Sequence, residues 1–175
     1  MSFKRILLLS VFISILFTCK YENLVVFENT IIPKPLNVKS LKGNFVLNSK
    51  LSLEFDSSLK VSALYLKNYI ESGSNIKFAN KTLEKKIQFT KDISITKPEA
   101  YKLEIKPSKI EIKSATDQGA FYAVQSLRQL LPIEFENGTY NKDKVIIPSI
   151  IIDDAPQFKY RGMHLDVGRH LYSVQ

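Results

Sequence analysis

Two amphipathic helical patterns lie among runs of strand-like alternation between residues 32 and 152, and this order limits the possible folds. Each pattern repeats apolar residues at intervals of three and four, which places them on one face of a helix. The two faces consist of Leu59, Ala63, Leu66 and Ile70, and of Ala120, Val124, Leu127 and Leu131. Each helix therefore has one side that must pack on another layer.

The strand patterns supply that layer. Apolar residues either alternate with polar ones, as on a half-buried sheet, or form a short apolar run, as in a central strand. The segments are 45–55, with a break near residues 48–50, and 86–89, 101–105, 110–112 and 145–152. A Pro-Ser-Lys turn separates the third from the fourth, which predicts a hairpin. We expect the last segment to be a buried central strand.

Polar residues and helix breakers bracket both helices. Residues 56–58 (Asp-Ser-Ser) and 116–117 (Thr-Asp) precede the helical patterns, where short polar side chains act as N-caps. Gly73 and Pro132 follow them, where such residues end helices. The sequence thus predicts an α+β fold over residues 32–152. We expect a two-layer sandwich, in which a mixed, partly antiparallel sheet of about five strands carries two helices on one face.

The N-terminal residues have a different composition. Two basic residues precede the apolar run 6–17, which is shorter than the about 20 residues that span a bilayer. This pattern predicts a signal peptide over residues 1–18. LFTC, ending at Cys19, resembles the lipobox of bacterial lipoproteins, which predicts lipidation of Cys19, a membrane anchor and a tether over 19–31. An ordinary signal peptide and an uncleaved anchor helix are the alternatives. All three predict export, to the periplasm, the cell surface or the medium.

Charge and residue types exclude several function classes. The formal net charge is +8, but the lysines alternate with apolar residues along the predicted strands, so we expect no nucleic-acid partner. The six glycines are scattered singly, which excludes a glycine-rich phosphate loop, and we expect no cofactor. The only histidines, His164 and His170, are too few for a zinc site. Asp153 and Asp154 are adjacent, so on an extended chain they point to opposite faces; we expect them in a solvated turn.

The run RGMHLDVGRH (161–170) has the composition of a functional site. Apolar residues alternate along 163–167, which predicts a strand ending at Gly168. Arg169 and His170 follow directly, where enzymes with parallel strands place their sites. From the residues alone, a surface loop is the alternative interpretation.

Three stretches carry a more specific signal. They are IIPKPLNVKSLKGNFVL (31–47), SATDQGAFYAVQSLRQLLP (114–132) and DDAPQFKYRGMHLDVGRH (153–170). In order and spacing they resemble the opening segment, a helix of the N-terminal domain, and the junction to the first barrel strand of bacterial β-N-acetylhexosaminidases, glycoside hydrolase family 20. The resemblance implies an N-terminal domain followed, over 153–175, by a linker and the start of a truncated (β/α)8 catalytic barrel.

The resemblance also implies a reaction and a glycan ligand. Family members remove terminal N-acetylglucosamine or N-acetylgalactosamine, and the acetamido oxygen of the substrate acts as the nucleophile. Arg169 matches the arginine that binds hydroxyls of the terminal sugar. Asp166 and His170 match positions that we interpret as supporting it. Gly168 stands where the family often has serine.

Two departures from the family concern catalysis. The adjacent Asp–Glu pair that carries the chemistry has no counterpart in this chain, and there is no tryptophan, whereas tryptophans wall the sugar pocket of the family. A barrel takes about 250 residues, and here the resemblance ends within its first strand. We therefore expect this chain to be inactive by itself. A stand-alone lipoprotein module that binds a glycan or a protein partner is the alternative.

Overall fold

The computed structural model describes residues 30–162 and Gly168. Its strands are β1 (Asn37–Asn48), β2 (Ser52–Phe55), β3 (Lys86–Lys91), β4 (Tyr101–Ile105), β5 (Lys109–Ser114) and β6 (Lys144–Asp154). Its helices are α1 (Lys60–Gly73) and α2 (Asp117–Arg128). The described residues thus form an α+β fold, as predicted. The alternation over residues 45–55 is interrupted near residues 48–50, and there the chain turns between β1 and β2.

The six strands form one mixed sheet in the order β1-β6-β4-β5-β3-β2. The β4–β5 hairpin is confirmed, with Leu103 opposite Ile112. Strand β6 lies inside the sheet, as predicted, and runs antiparallel to both of its neighbours, β1 and β4. Strand β2 is parallel to β3 because α1 connects them, and a parallel pair requires such a crossover.

Both helices pack on one face of this sheet. They contact each other, and all eight apolar residues predicted for their inner faces are buried in one core cluster with the strands. The opposite face of the sheet is charged. Its ion pairs include Lys86–Glu54 and Lys106–Glu104, each at 2.7 Å. One face of the sheet therefore packs in the hydrophobic core, while the opposite face is exposed to solvent.

The two predicted caps have different outcomes. Thr116 caps α2, since its hydroxyl accepts a hydrogen bond from the Gly119 N–H at 3.3 Å. Asp56 does not cap α1, because a 3-10 turn (Ser57–Leu59) precedes that helix. The Asp56 carboxylate instead accepts a hydrogen bond from the Lys91 N–H. This contact joins the end of β2 to the end of β3.

Gly73 ends α1 as predicted, but for a different reason. Among the described residues, positive φ angles occur only at Gly43 and Gly138, so Gly73 does not adopt a left-handed conformation. A Cβ at Gly73 would lie 2.6 Å from the carbonyl oxygen of Phe135. The glycine is required there because another part of the backbone passes so close.

The borders of the domain differ from the expected ones in detail. Ile31, which we expected in the tether, is buried in the core with 3% of its surface exposed. Asp153 and Asp154 belong to β6, so the expected turn is wrong. Their side chains do diverge: Asp153 faces Lys102 at 3.7 Å, and Asp154 accepts a hydrogen bond from the Leu36 N–H at 3.1 Å. Among the residues that the structure describes, no helix is long and apolar enough to cross a membrane.

Candidate functional site

The residues predicted as site residues lie outside the described ranges. These are Arg169, Asp166, His170 and Cys19, together with the apolar alternation over 163–167 that predicted a barrel strand. They stay predictions. Within residues 30–162, no group of three histidine, cysteine, aspartate or glutamate side chains could hold a metal ion.

Arg161, the first residue of the RGMHLDVGRH run, makes a dense set of contacts. Its guanidinium holds both carboxylate oxygens of Glu99, with Nη2–Oε1 at 2.6 Å and Nη1–Oε2 at 3.3 Å. It also donates to the Tyr122 hydroxyl at 2.8 Å and to the Phe158 carbonyl at 2.6 Å. We call Arg161, Glu99 and Tyr122 the exit clamp, because they fix the segment 155–162, which follows β6, against helix α2.

The first turn of α2 positions the carboxylate of the clamp. Gln118 Nε2 donates to Glu99 Oε1 at 2.7 Å. The Thr116 hydroxyl donates a hydrogen bond to the carbonyl of Pro98, in the loop that precedes β4. Gly119 has no side chain, so this loop can lie directly against the helix. A Cβ at Gly119 would meet the Ala100 carbonyl oxygen at 2.5 Å. The sequence thus brings the loop before β4 into direct contact with the start of the helix.

The clamp is an ion pair at neutral pH. The hydrogen bond from Arg161 lowers the pKa of the Glu99 carboxyl, and the hydrogen bond to Glu99 raises the pKa of Arg161. Because the pKa of Glu99 is lower in the folded than in the unfolded chain, the contact stabilises the fold above the unfolded value of 4.5. That stabilisation is lost as the pH falls through the folded pKa.

Arg161→Ala should therefore lower the melting temperature at pH 7 and have a progressively smaller effect in acid. Thermal unfolding of both proteins between about pH 7 and pH 3 measures this difference. In a Glu99→Gln background, Arg161→Ala should have a small effect at every pH, because the carboxylate is already gone. An effect of Arg161→Ala that does not change with pH would show that the ion pair is irrelevant.

A cleft of about 590 Å³ lies beside the clamp. Its walls are residues 31–34, the outer side of α2 and the segment after β6. The lining residues are Ile31, Ile32, Pro33, Lys34, Tyr101, Tyr122, Gln125, Ser126, Gln129, Asp154, Ala155, Pro156, Gln157, Phe158 and Arg161. Apolar walls with a few convergent polar groups are typical of a binding cleft.

The polar groups of the cleft are largely engaged with one another. The Tyr101 hydroxyl bonds to Ser126 Oγ at 2.5 Å and donates to Asp154 at 3.3 Å. Burial raises the pKa of Tyr101, so this hydroxyl stays protonated at physiological pH. The Gln129 side-chain amide holds the backbone of Ile32, since its Oε1 accepts from the Ile32 N–H and its Nε2 donates to the Ile32 carbonyl, each at 2.8 Å. Asp154 is the one carboxylate among the described residues that line the cleft.

Sequence reasoning did not assign roles to Arg161, Glu99 or Tyr122. Glu99 and Arg161 are 62 positions apart, and nothing in their local patterns predicts that they meet. The available signal was the resemblance of residues 153–170, which marked this region as a junction between two parts of a larger protein.

Comparison with known proteins assigns the fold to a family. The sequence model of Glycosyl hydrolase family 20, domain 2, matches residues 28–155. A β-hexosaminidase of Porphyromonas gingivalis is 30% identical over 151 residues, which cover 83% of this chain and 19% of that protein. An N,N'-diacetylchitobiase of Vibrio harveyi is 30% identical over 149 residues, covering 83% of this chain and 16% of that protein.

Solved structures agree with this assignment. The GH20 β-N-acetylhexosaminidase of Streptomyces coelicolor superposes with a TM-score of 0.70 at 21% identity, covering 83% of this chain and 30% of that one. The chitobiase of Flavobacterium johnsoniae superposes with a TM-score of 0.59 at 28% identity, covering 80% and 23%.

The sheet and its one helix layer define a two-layer α+β domain, and its cleft lies between residues 31–34, α2 and the segment that follows β6. The chain belongs to glycosyl hydrolase family 20, and the part that matches is domain 2 of that family. It spans about a fifth of the length of the curated relatives that it matches.

Proposed function

We propose that this chain is the non-catalytic N-terminal part of an exported β-N-acetylhexosaminidase and that, by itself, it hydrolyses nothing. One observation carries this proposal. The match to domain 2 takes up residues 28–155 of this chain, while the relatives are about four to six times longer. The catalytic groups of these relatives then lie in the part of their sequences that has no counterpart in this chain.

The residues of this chain are consistent with a supporting role. The family resemblance requires an adjacent Asp–Glu pair, and no such pair occurs in the sequence. Arg169 would contribute a planar set of N–H donors to neighbouring sugar hydroxyls, with Asp166 and His170 as supports. Among the relatives, the Vibrio harveyi enzyme is known in complex with N-acetylglucosamine. A terminal N-acetylhexosamine is therefore the ligand that we propose for the complete enzyme.

Export and membrane attachment are part of the proposal. The basic residues and apolar run before Cys19 support a signal peptide, and LFTC supports acylation of the Cys19 thiol. Metabolic labelling with an alkyne fatty acid should mark the wild-type protein, and Cys19→Ser should abolish the label. Equal labelling of the two proteins would rule out an anchor at this residue.

The nucleotide sequence after codon 175 tests the main proposal. An open frame that resumes with a barrel pattern and an Asp–Glu pair would identify the remainder of the enzyme. A sequence with neither feature would count against the proposal. In that event the stand-alone module gains support, because the described residues already form one continuous core and a cleft of about 590 Å³. A glycan array probed with this chain would then show saturable binding.

A further inference from the structure

Strand β2 lies at one edge of the sheet, and part of that edge is open. The backbone N–H groups of Ser52 and Asp56 donate to carbonyl oxygens on the β3 side, at 3.1 and 3.0 Å. Successive residues of a strand direct their backbone N–H and C=O groups to opposite sides. Leu53 and Phe55 therefore direct theirs away from β3, towards the free edge.

The same edge is already paired one position earlier. The carbonyl oxygen of Leu51, which points to the same side, accepts a hydrogen bond from the Ala79 N–H at 3.0 Å. The backbone hydrogen bonds of the described residues include none that reaches Leu53 or Phe55 from this side. Each of these two residues thus presents one N–H donor and one C=O acceptor that a further strand could use.

A cleft of about 270 Å³ lies beside these two residues, and we call it the edge cleft. Its walls are β2, α1 and residues 78–82. This volume falls just below the about 300–1,000 Å³ that enclose a small molecule, so the cleft suits a side chain of a longer segment. The apolar side chains that line it are Leu53, Phe55, Leu64 and Phe78.

Two lysines make the edge cleft positive. Lys67 of α1 and Lys81 line it, and no described carboxylate does. Neither lysine forms an ion pair with a described residue, whereas Lys86, on the adjacent strand, is paired with Glu54 at 2.7 Å. Complementary charge on a partner would steer it to this edge and fix its register.

We propose that the free edge of β2 binds an extended segment of another protein, which joins the sheet as a further strand. An extended polypeptide supplies N–H and C=O groups at the spacing that Leu53 and Phe55 present. Alternate side chains of the segment enter the edge cleft, so they are apolar, and acidic residues at its two ends meet Lys67 and Lys81. A second copy of this chain is disfavoured, because it would bring the lysines of both edge clefts together. This inference does not depend on the proposed function.

Amide hydrogen exchange in the ¹⁵N-labelled 175-residue chain tests the added strand. The probe is the synthetic peptide acetyl-Asp-Thr-Val-Thr-Val-Thr-Asp-amide, whose valine and aspartate side chains share one face when it is extended. Without peptide, the amide hydrogens of Leu53 and Phe55 should exchange faster than that of Glu54, which is directed to β3. Saturating peptide should slow exchange at Leu53 and Phe55 by about tenfold or more and leave Glu54 unchanged.

Charge reversal tests the edge cleft. Lys67→Glu together with Lys81→Glu should weaken peptide binding by about tenfold or more. The matched control is Lys39→Glu together with Lys42→Glu, on β1 at the opposite edge of the sheet, and it should leave binding unchanged. All four side chains are at least partly exposed, so both variants should fold. A peptide with lysine in place of both aspartates should prefer the Lys67→Glu, Lys81→Glu chain.

A peptide with three prolines in place of Val-Thr-Val is the control for backbone pairing, because proline has no N–H. It should not slow exchange at Leu53 or Phe55, and equal effects of the two peptides would overturn the added strand. Failure of the first peptide to protect these amides would overturn the proposal as well. Protection that appears without peptide and grows with the concentration of the chain would identify a second copy as the occupant and contradict the proposed partner.

Discussion

Gly119→Ala is expected to lower the free energy of unfolding by about 2 kcal/mol, because the new methyl group has no space. Its Cβ would lie 2.5 Å from the Ala100 carbonyl oxygen and 3.1 Å from the Pro98 carbonyl oxygen, and backbone atoms cannot rotate away as side chains can. The higher helix propensity of alanine, about 1 kcal/mol, offsets part of this cost. Urea denaturation of both proteins gives the difference.

The same substitution should also disturb the exit clamp. The loop that must move contains Glu99, so its contact with Arg161 should loosen and its pKa should rise towards the usual value. A ¹³C NMR titration of the Glu99 carboxyl measures that pKa. Gly162→Ala is the matched control, because a Cβ there meets only the flexible side chain of Tyr160. If Gly119→Ala were as harmless as the control, the close approach of α2 to this loop would be wrong.

Phe89→Ala is expected to cost about 3–5 kcal/mol, the usual range for removing a buried aromatic ring. Phe89 is 1% exposed on β3, between its neighbours Phe55 on β2 and Ile112 on β5. Loss of the ring leaves a cavity under the helices that the surrounding strands cannot close. Thermal or urea unfolding of the purified domain measures the loss.

Phe55→Ala is the control for this core substitution. The residue has the same side chain on an adjacent strand, but β2 is the edge of the sheet and Phe55 is 37% exposed. We expect a loss well below that of Phe89→Ala, since less apolar surface returns to water. Equal losses of unfolding free energy in the two variants would contradict this arrangement of the sheet, in which β3 covers the core and β2 lies at its edge.

The fold was largely predictable, because spacing along the chain encodes which faces are buried. Intervals of three and four placed Leu66 and Val124 on the inner sides of their helices, and both are buried. Alternation around a Pro-Ser-Lys turn predicted the β4–β5 hairpin. Local patterns failed where a distant group competes for a side chain. Asp56 was expected to cap α1, but the N–H of Lys91, 35 residues away, takes its carboxylate.

The candidate site was less predictable for the same physical reason. The exit clamp joins Glu99 and Arg161 across 62 positions, and no periodicity records such a contact. The resemblance to family 20 identified the domain and suggested Arg169 as a sugar ligand, but gave no account of how the domain meets its neighbour.

Turnover of a chromogenic N-acetylglucosaminide by the purified 175-residue chain tests the central claim most directly. A non-catalytic domain should give a rate equal to that of buffer, and Arg169→Ala should leave it unchanged. The β-hexosaminidase of Porphyromonas gingivalis, assayed in parallel, is the control for substrate and conditions. Hydrolysis by the 175-residue chain at enzyme-like rates, lost in Arg169→Ala, would contradict the account.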